Sequence, residues 1–246
     1  MNELSGGRAF YGEAIGILML DMQAPLIPGN VGNATSYGFP VRYKILDTLP
    51  SDWWCDEEGA SERRQEIFIK KALELEKEGV RAITTGCGFF AKYQTAASEA
   101  LSIPLFNSPL LLVPMVARMI GPNKRVGIIS AGGSHLKGAF LENVGIDAST
   151  PIAVDGLEDK PEFYDVHVTQ KKATINPQKM EQEVVEVAER LTAKFPDIGA
   201  LVFECSDLPP YAAAVQKAVS LPIFDFITLI NMVYMAVIKK RFDGFM

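Results

Sequence analysis

Val80-Arg81-Ala82-Ile83-Thr84-Thr85-Gly86-Cys87 and Ile198-Gly199-Ala200-Leu201-Val202-Phe203-Glu204-Cys205 are two copies of one pattern, an apolar run that ends in a cysteine. The match continues well past them. With Cys87 set on Cys205, Tyr93 falls on Tyr211, Ala96 on Ala214 and Ala100 on Ala218. Ser102-Ile103-Pro104-Leu105-Phe106 then falls on Ser220-Leu221-Pro222-Ile223-Phe224 without a gap, so that in both copies a proline lies seventeen residues after the cysteine. Self-similarity of this kind marks a repeated structural unit. A weaker echo pairs Ile15-Gly16-Ile17-Leu18 with Arg125-Val126-Gly127-Ile128-Ile129. The chain therefore reads as two related halves, residues 1–112 and 113–225. A hinge region is expected near Pro109–Pro122, and a C-terminal helix, 226–246, is expected to pack back on the first half.

Short apolar runs alternate with longer segments of helical period. The strand-like runs are Ala14–Leu20, Val41–Leu46, Val80–Thr85, Arg125–Ser130, Ile152–Val154, Ala200–Phe203 and Leu221–Phe224, and the clearest helical stretches are Glu57–Glu78 and Asn176–Lys194. The first helix opens on Asp56-Glu57-Glu58, matched to the helix dipole, and stops at Gly79. Continuous apolar strands, each followed by a helix, predict parallel sheets covered on both faces. The class is α/β, with a cleft between two similar halves.

Composition narrows the functional classes. The 246 residues are 48% apolar and 22% charged, carry a net charge of −6 and contain 3 Cys. That is ample material for a buried core, and the acidic balance argues against nucleic acid or an anionic membrane as the main partner. The run Ile15–Leu20 is too short for a spanning helix and follows Glu13, unlike a signal peptide. The stretch Ile227–Ile238, interrupted by Asn231 and closed by Lys239-Lys240-Arg241, reads as a buried terminal helix. Three cysteines make no disulfide framework, which points to reduced thiols and a cytoplasmic protein.

The repeated cysteines carry the chemistry. Each sits at the carboxyl end of a predicted parallel strand, just before a helix, where open α/β sheets bind ligands. A helix N-terminus there attracts anions and lowers a thiol pKa. Two thiols facing each other across a cleft, one ionised and one protonated, place a base on one side of a carbon and an acid on the other. Cys55, in Trp53-Trp54-Cys55-Asp56, lies outside the repeat and reads as structural. No Cys-x-x-Cys or His-Glu-x-x-His spacing occurs, so no metal site is expected. His135, after Gly132-Gly133-Ser134, and His167, in a polar region, are both candidates to touch a ligand but read first as surface or capping residues. Ala131-Gly132-Gly133-Ser134 lacks the remainder of a phosphate-binding or dinucleotide motif, and no Gly-x-Ser-x-Gly elbow is present.

The segments Ile83-Thr84-Thr85-Gly86-Cys87-Gly88-Phe89-Phe90 and Phe203-Glu204-Cys205-Ser206-Asp207-Leu208-Pro209-Pro210-Tyr211 resemble the cofactor-independent aspartate/glutamate/hydantoin racemase superfamily. Pro28-Gly29-Asn30-Val31-Gly32-Asn33 and Phe39-Pro40-Val41 are similar to one of its subgroups. The resemblance covers nearly the whole chain. It implies two flavodoxin-like halves related by a pseudo-twofold axis, a homodimer or higher homo-oligomer, and catalysis without pyridoxal phosphate, metal or other cofactor. It also implies that Cys87 and Cys205 are the acid/base thiols and that Asp21 assists proton transfer or contacts the substrate. Thr85, Gly88 and Ser206 would then offer hydroxyl or backbone donors to a substrate carboxylate, and Phe89 and Phe90 would make the pocket more apolar. The chain departs from the family's usual Asn-Thr after the first cysteine and Thr after the second, having Gly88-Phe89 and Ser206-Asp207.

Three functions are expected, in order, the first two from this resemblance and the third from another class. The first is racemisation or epimerisation of a small carboxylate or cyclic amide, an amino acid or a hydantoin, by two-thiol proton transfer. The second is a lyase of the dimethylsulfoniopropionate or decarboxylase type at the same site. The third is non-catalytic binding of a small anion in the cleft; a redox role through a Cys87–Cys205 disulfide ranks below these.

Overall fold

The computed structural model describes residues 6–47 and 61–246. Cys55, its tryptophans and the acidic turn 56–58 lie outside the described residues. Seven strands form among those described: β1 (Ile15–Leu20), β2 (Val41–Leu46), β3 (Ala82–Thr85), β4 (Arg125–Ser130), β5 (Ile152–Gly156), β6 (Ile198–Phe203) and β7 (Ile223–Phe224). Each falls on a run read as a strand from the sequence. They build two parallel sheets with orders β2-β1-β3 and β5-β4-β6-β7. A parallel bridge from Ile83 to Leu105 extends the first sheet to the same four-position order as the second. Every residue of β1 and β3 is buried, because both faces of a central parallel strand are covered. β2 lies at an edge and shows it: Arg42 pairs with Glu13 at 2.5 Å, and Lys44 with Glu78 at 2.7 Å and Glu74 at 2.9 Å.

The repeat seen in the sequence is a repeat in hydrogen bonding. Ile15 pairs with Ala82 and Gly16 with Ile83, as Val126 pairs with Ala200 and Gly127 with Leu201. Ile83 N donates to Pro104 O at 2.9 Å, and Leu201 N donates to Pro222 O at 2.9 Å. Gly16 and Gly127 are glycines for the same reason. A Cβ at Gly16 would lie 3.0 Å from Leu75 and 3.2 Å from Val80, and one at Gly127 would lie 2.6 Å from Leu201 and 3.1 Å from Ile198. Such approaches leave no room for a side chain.

Eight α-helices cover the sheets among the described residues: α1 (Ser61–Glu78), α2 (Gln94–Ala100), α3 (Val113–Ile120), α4 (Ala139–Glu142), α5 (Pro161–Phe163), α6 (Pro177–Lys194), α7 (Ala212–Val219) and α8 (Phe226–Val237). α1 ends where expected, with Gly79 at φ +95° bonding back to Leu75 O and Glu76 O. Asn176 caps α6 by accepting from Lys179 N at 3.1 Å. In the stretch 109–122, where the hinge region is expected, a 3₁₀ turn, Pro109–Leu112, leads into α3, which stops at Gly121 at φ +90°.

The terminal helix is shorter than 226–246 and is not fully buried. Phe226, Leu229 and Ile230 face inward, while Met232 and Met235 are exposed. α8 stops at Val237, and residues 239–246, including Phe242, Phe245 and Met246, are exposed. It lies against the first half: Tyr234 stacks on Phe39 with ring centroids 3.6 Å apart, and Arg81 Nη1 donates to Val237 O at 3.2 Å.

Candidate active site

The strand order reverses direction between β1 and β3 in one half and between β4 and β6 in the other, and the two switch points face one another. Leu20 and Met22 follow β1, Gly86 to Phe89 follow β3, Ala131 follows β4 and Glu204 to Asp207 follow β6. Together with His167 and Val168 they enclose a cavity of about 30 Å³. Ligands of open α/β sheets bind at this edge, and here the duplication supplies the edge twice to one space. Cys87 and Cys205 both line it, the first half-buried and the second 8% exposed. Among the described residues no lysine or arginine lines it.

Each thiol is placed by the turn that follows its strand. Cys87 caps a 3₁₀ helix, Gly88–Tyr93, whose Phe90 and Tyr93 anchor it in the core. Phe90 stacks on Phe68 of α1 at 4.9 Å. Cys205 is followed by a turn and a short 3₁₀ helix, Pro209–Tyr211, before α7 begins. The expectation that a helix N-terminus would lower its pKa is not met. Burial pushes the Cys205 thiol well up, and the nearby carboxyls of Asp207 and Glu204 and the Cys87 thiol push it further. A buried thiolate would have to shed its hydration beside negative charge, so the thiol form wins.

Asp207 is the hub of the polar contacts. Its Oδ2 lies 3.5 Å from Cys205 Sγ, and its Oδ1 accepts from Asn30 Nδ2 at 2.5 Å and lies 3.5 Å from His167 Nδ1. Asn30 belongs to the loop Pro28–Asn33 of the first half, so this bond crosses the cleft. A second crossing bond runs from Ser206 Oγ to Gly86 O at 2.6 Å. Gly29, at φ +98°, packs so closely on Pro210 that a Cβ there would lie 2.9 Å from its Cα.

Glu204 is fully buried. Its Oε2 accepts from Ser130 Oγ at 2.7 Å, while Oε1 has no hydrogen-bond partner among the protein atoms. Loss of hydration raises its pKa to about 8, with Asp207 adding to the effect. Gly88 makes room for it: a Cβ at that position would lie 2.3 Å from Glu204 Oε1 and 2.1 Å from Glu204 O. The glycine after the first cysteine is therefore fitted to the glutamate before the second.

The other residues singled out from the sequence divide into two groups. Gly88, Phe89 and Ser206 line the cavity with the cysteines. Thr85 is buried behind it, with Oγ1 2.6 Å from Asn107 O and 2.9 Å from Cys87 O. The hydroxyls of Thr85 and Ser206 are thus engaged with backbone carbonyls rather than held open as donors, as buried hydroxyls usually are. Phe90 is core rather than pocket wall. Asp21 is exposed and lies off the cavity wall, because Leu20 and Met22 on either side of it turn inward.

His167 corrects the sequence reading. It is not a surface residue: it lies in a π-helical turn, Tyr164–Val168, is 6% exposed, and lines the cavity with neither ring nitrogen hydrogen-bonded. His135 is half-buried in a 3₁₀ turn, Gly133–His135. Among the described residues no group of His, Cys, Asp and Glu is arranged to hold a metal ion, and no helix is long and apolar enough to cross a membrane. Sequence reasoning missed Glu204, Asp207 and Asn30 as site residues. Their only signal was adjacency to Cys205 or membership of the Pro28–Asn33 segment.

Two parallel-sheet units with a thiol from each at a shared cavity define a class of duplicated α/β proteins. The chain belongs to the Asp/Glu/Hydantoin racemase family, whose model matches residues 55–230. It is 30% identical over 226 residues to dimethylsulfoniopropionate lyase 3 of Emiliania huxleyi (strain CCMP1516), a match covering 89% of this chain and 58% of that protein. It is 32% identical over 220 residues to a dimethylsulfoniopropionate lyase of Durusdinium sp. clade D, covering 87% of this chain and 71% of the relative. The chain thus spans about three-fifths of the length of the first of these relatives. A glutamate racemase isoform from Bacillus anthracis shares the fold, with a TM-score of 0.56 at 16% identity over 91% of this chain and 82% of that one.

Proposed function

We propose that this protein is a cofactor-independent carbon-acid enzyme that removes the proton α to a carboxylate and expels a leaving group from the β-carbon, as a dimethylsulfoniopropionate lyase would. The observation that carries this reading is the cavity itself: among the described residues, two thiols, two carboxyl groups and no lysine or arginine on its wall. Such a wall suits a small substrate with an onium group, which the Asp207 carboxylate attracts, and it disfavours a substrate with two anionic groups. The similarity to two dimethylsulfoniopropionate lyases over most of the chain supports the same reading.

In the proposed reaction Cys87, as thiolate, takes the α-proton, since Cys205 is held as a thiol. The electron pair released at the α-carbon forms the C=C bond of acrylate, and the C–S pair leaves with dimethyl sulfide. Cys87 then returns its proton to solvent. General-base action of this kind contributes roughly 10²–10⁴-fold to the rate.

A second reading is racemisation or epimerisation. The observation favouring it is that both cysteines of the repeat reach one cavity, so that a proton removed by one thiol is replaced from the other side by the other thiol. Product analysis separates the two. Proton NMR of the enzyme with dimethylsulfoniopropionate is expected to show acrylate and dimethyl sulfide. Their absence, with loss of optical rotation from aspartate, glutamate or a 5-substituted hydantoin, would establish the racemase. The protein acts as a small-molecule enzyme in either reading, and a cytoplasmic homo-oligomer is the form proposed for it.

A further inference from the structure

Proton removal beside a carboxylate gathers negative charge on the carboxylate oxygens, and a site that accelerates it needs a donor aimed at them. The obvious donors are already engaged. Ser206 Oγ is bonded to Gly86 O, Thr85 Oγ1 to backbone carbonyls, and no lysine or arginine lines the cavity. Glu204 is different. It lines the cavity, is fully buried, holds one oxygen on Ser130 and leaves the other without a partner. An ionised carboxylate in that position would leave a buried, charged oxygen uncompensated, which is more costly than keeping the proton. The titratable groups on the same cavity wall are the Cys87 thiol from the first half, Cys205 and Asp207 from its own turn, and His167 from the π-helical turn; Asp207 opposes its ionisation, whereas the hydrogen bonds of Ser130 and the Ala131 backbone favour it without outweighing burial. Gly88, which also lines the cavity, packs against Oε1, where a Cβ would lie 2.3 Å from the oxygen.

We infer that Glu204 works as a neutral acid, donating a hydrogen bond from Oε1 to the substrate carboxylate and strengthening that bond as charge develops there in the transition state. Glu204 is then neither the base nor an anion that draws in a cation. This inference rests on the proposed carbon-acid chemistry, and it assigns the stabilising donor of that chemistry to a residue fixed by Ser130 and Gly88.

Two variants separate the roles. Gln keeps a neutral donor of the same shape, and Met keeps the volume without one. With dimethylsulfoniopropionate as the probe, Glu204→Gln is expected to retain about a tenth or more of kcat, whereas Glu204→Met loses about a hundredfold, chiefly in kcat rather than KM. The wild-type rate should fall as pH rises through the ionisation of Glu204 near 8, and the Gln variant should lack that limb. Infrared difference spectroscopy of wild type minus Glu204→Gln, without any substrate, should show a protonated carboxylic-acid band at neutral pH that vanishes at alkaline pH. Folding of both variants is checked by circular dichroism. Equal loss in Gln and Met, or no acid band at neutral pH, would overturn the inference. A wild-type enzyme that shows the acid band but turns over no carbon acid would refute the proposed reaction instead, and the donor role with it.

Discussion

Cys205 and Asp207 show how a single contact decides which thiol does what. A carboxylate 3.5 Å from a buried sulfur adds negative charge where the thiolate would form, on top of the desolvation that is the larger cause. Replacing Asp207 with Asn removes that charge while leaving an atom in place for the Cys205 contact. The Cys205 thiol should then ionise at lower pH, and ultraviolet titration of thiolate absorbance, wild type against Asp207→Asn in a Cys87→Ser background, measures the shift. An unchanged titration would mean that burial alone holds the thiol protonated. None of this was legible in the sequence. The spacing of the cysteines told which residues repeat. Sign and size of a pKa shift depend on burial and on partners such as Asp207, whose distance to the sulfur only folding sets.

At the scale of elements, the loop between β1 and β2 does more than connect strands. Its Asn30, 2% exposed, reaches across the cleft to Asp207, and Asn30 Oδ1 in turn accepts from Gly32 N at 2.8 Å. Tyr37 and Tyr43 both donate to Val31 O, at 2.8 and 2.9 Å, which pins the same loop to its own sheet. Asn30→Ala leaves a buried carboxylate oxygen with one donor fewer, a loss of about 1–3 kcal/mol. Urea unfolding is expected to show that loss, and turnover should fall with it because Asp207 is no longer held. A variant as stable and active as wild type would show the crossing bond to be incidental. The strands and the duplicated register were readable in advance, since apolar runs and the matched Ser-x-Pro segments are local signals. The loop's role was not, because a polar segment such as Pro28–Asn33 carries no periodicity to betray what it touches. His167 was misread for the same reason: a polar neighbourhood in sequence, Tyr164 to Lys172, proved to be a π-helical turn folded inward onto Phe163, whose ring lies 5.1 Å from the imidazole.

For the whole molecule, the duplication explains why one cavity receives two thiols, and the closeness of the halves explains the cavity's size. The bonds Ser206–Gly86 and Asn30–Asp207 tie the halves together beside that cavity. The fold and the paired cysteines followed from the sequence. The acidic character of the cavity did not, because 30 acidic residues are spread along the chain and only the packing of Gly88 against Glu204 selects those that matter. The central claim is that the two repeated thiols form one proton-transfer site. Its most direct test is the rate of α-proton loss in wild type, Cys87→Ser and Cys205→Ser, read as acrylate released from dimethylsulfoniopropionate or as solvent deuterium entering the α-carbon of aspartate, glutamate or a 5-substituted hydantoin. The expected result is turnover of one of these compounds by wild type, reduced about a hundredfold or more in Cys87→Ser, and in Cys205→Ser as well where the reaction is racemisation. Wild-type rates in both variants would contradict it.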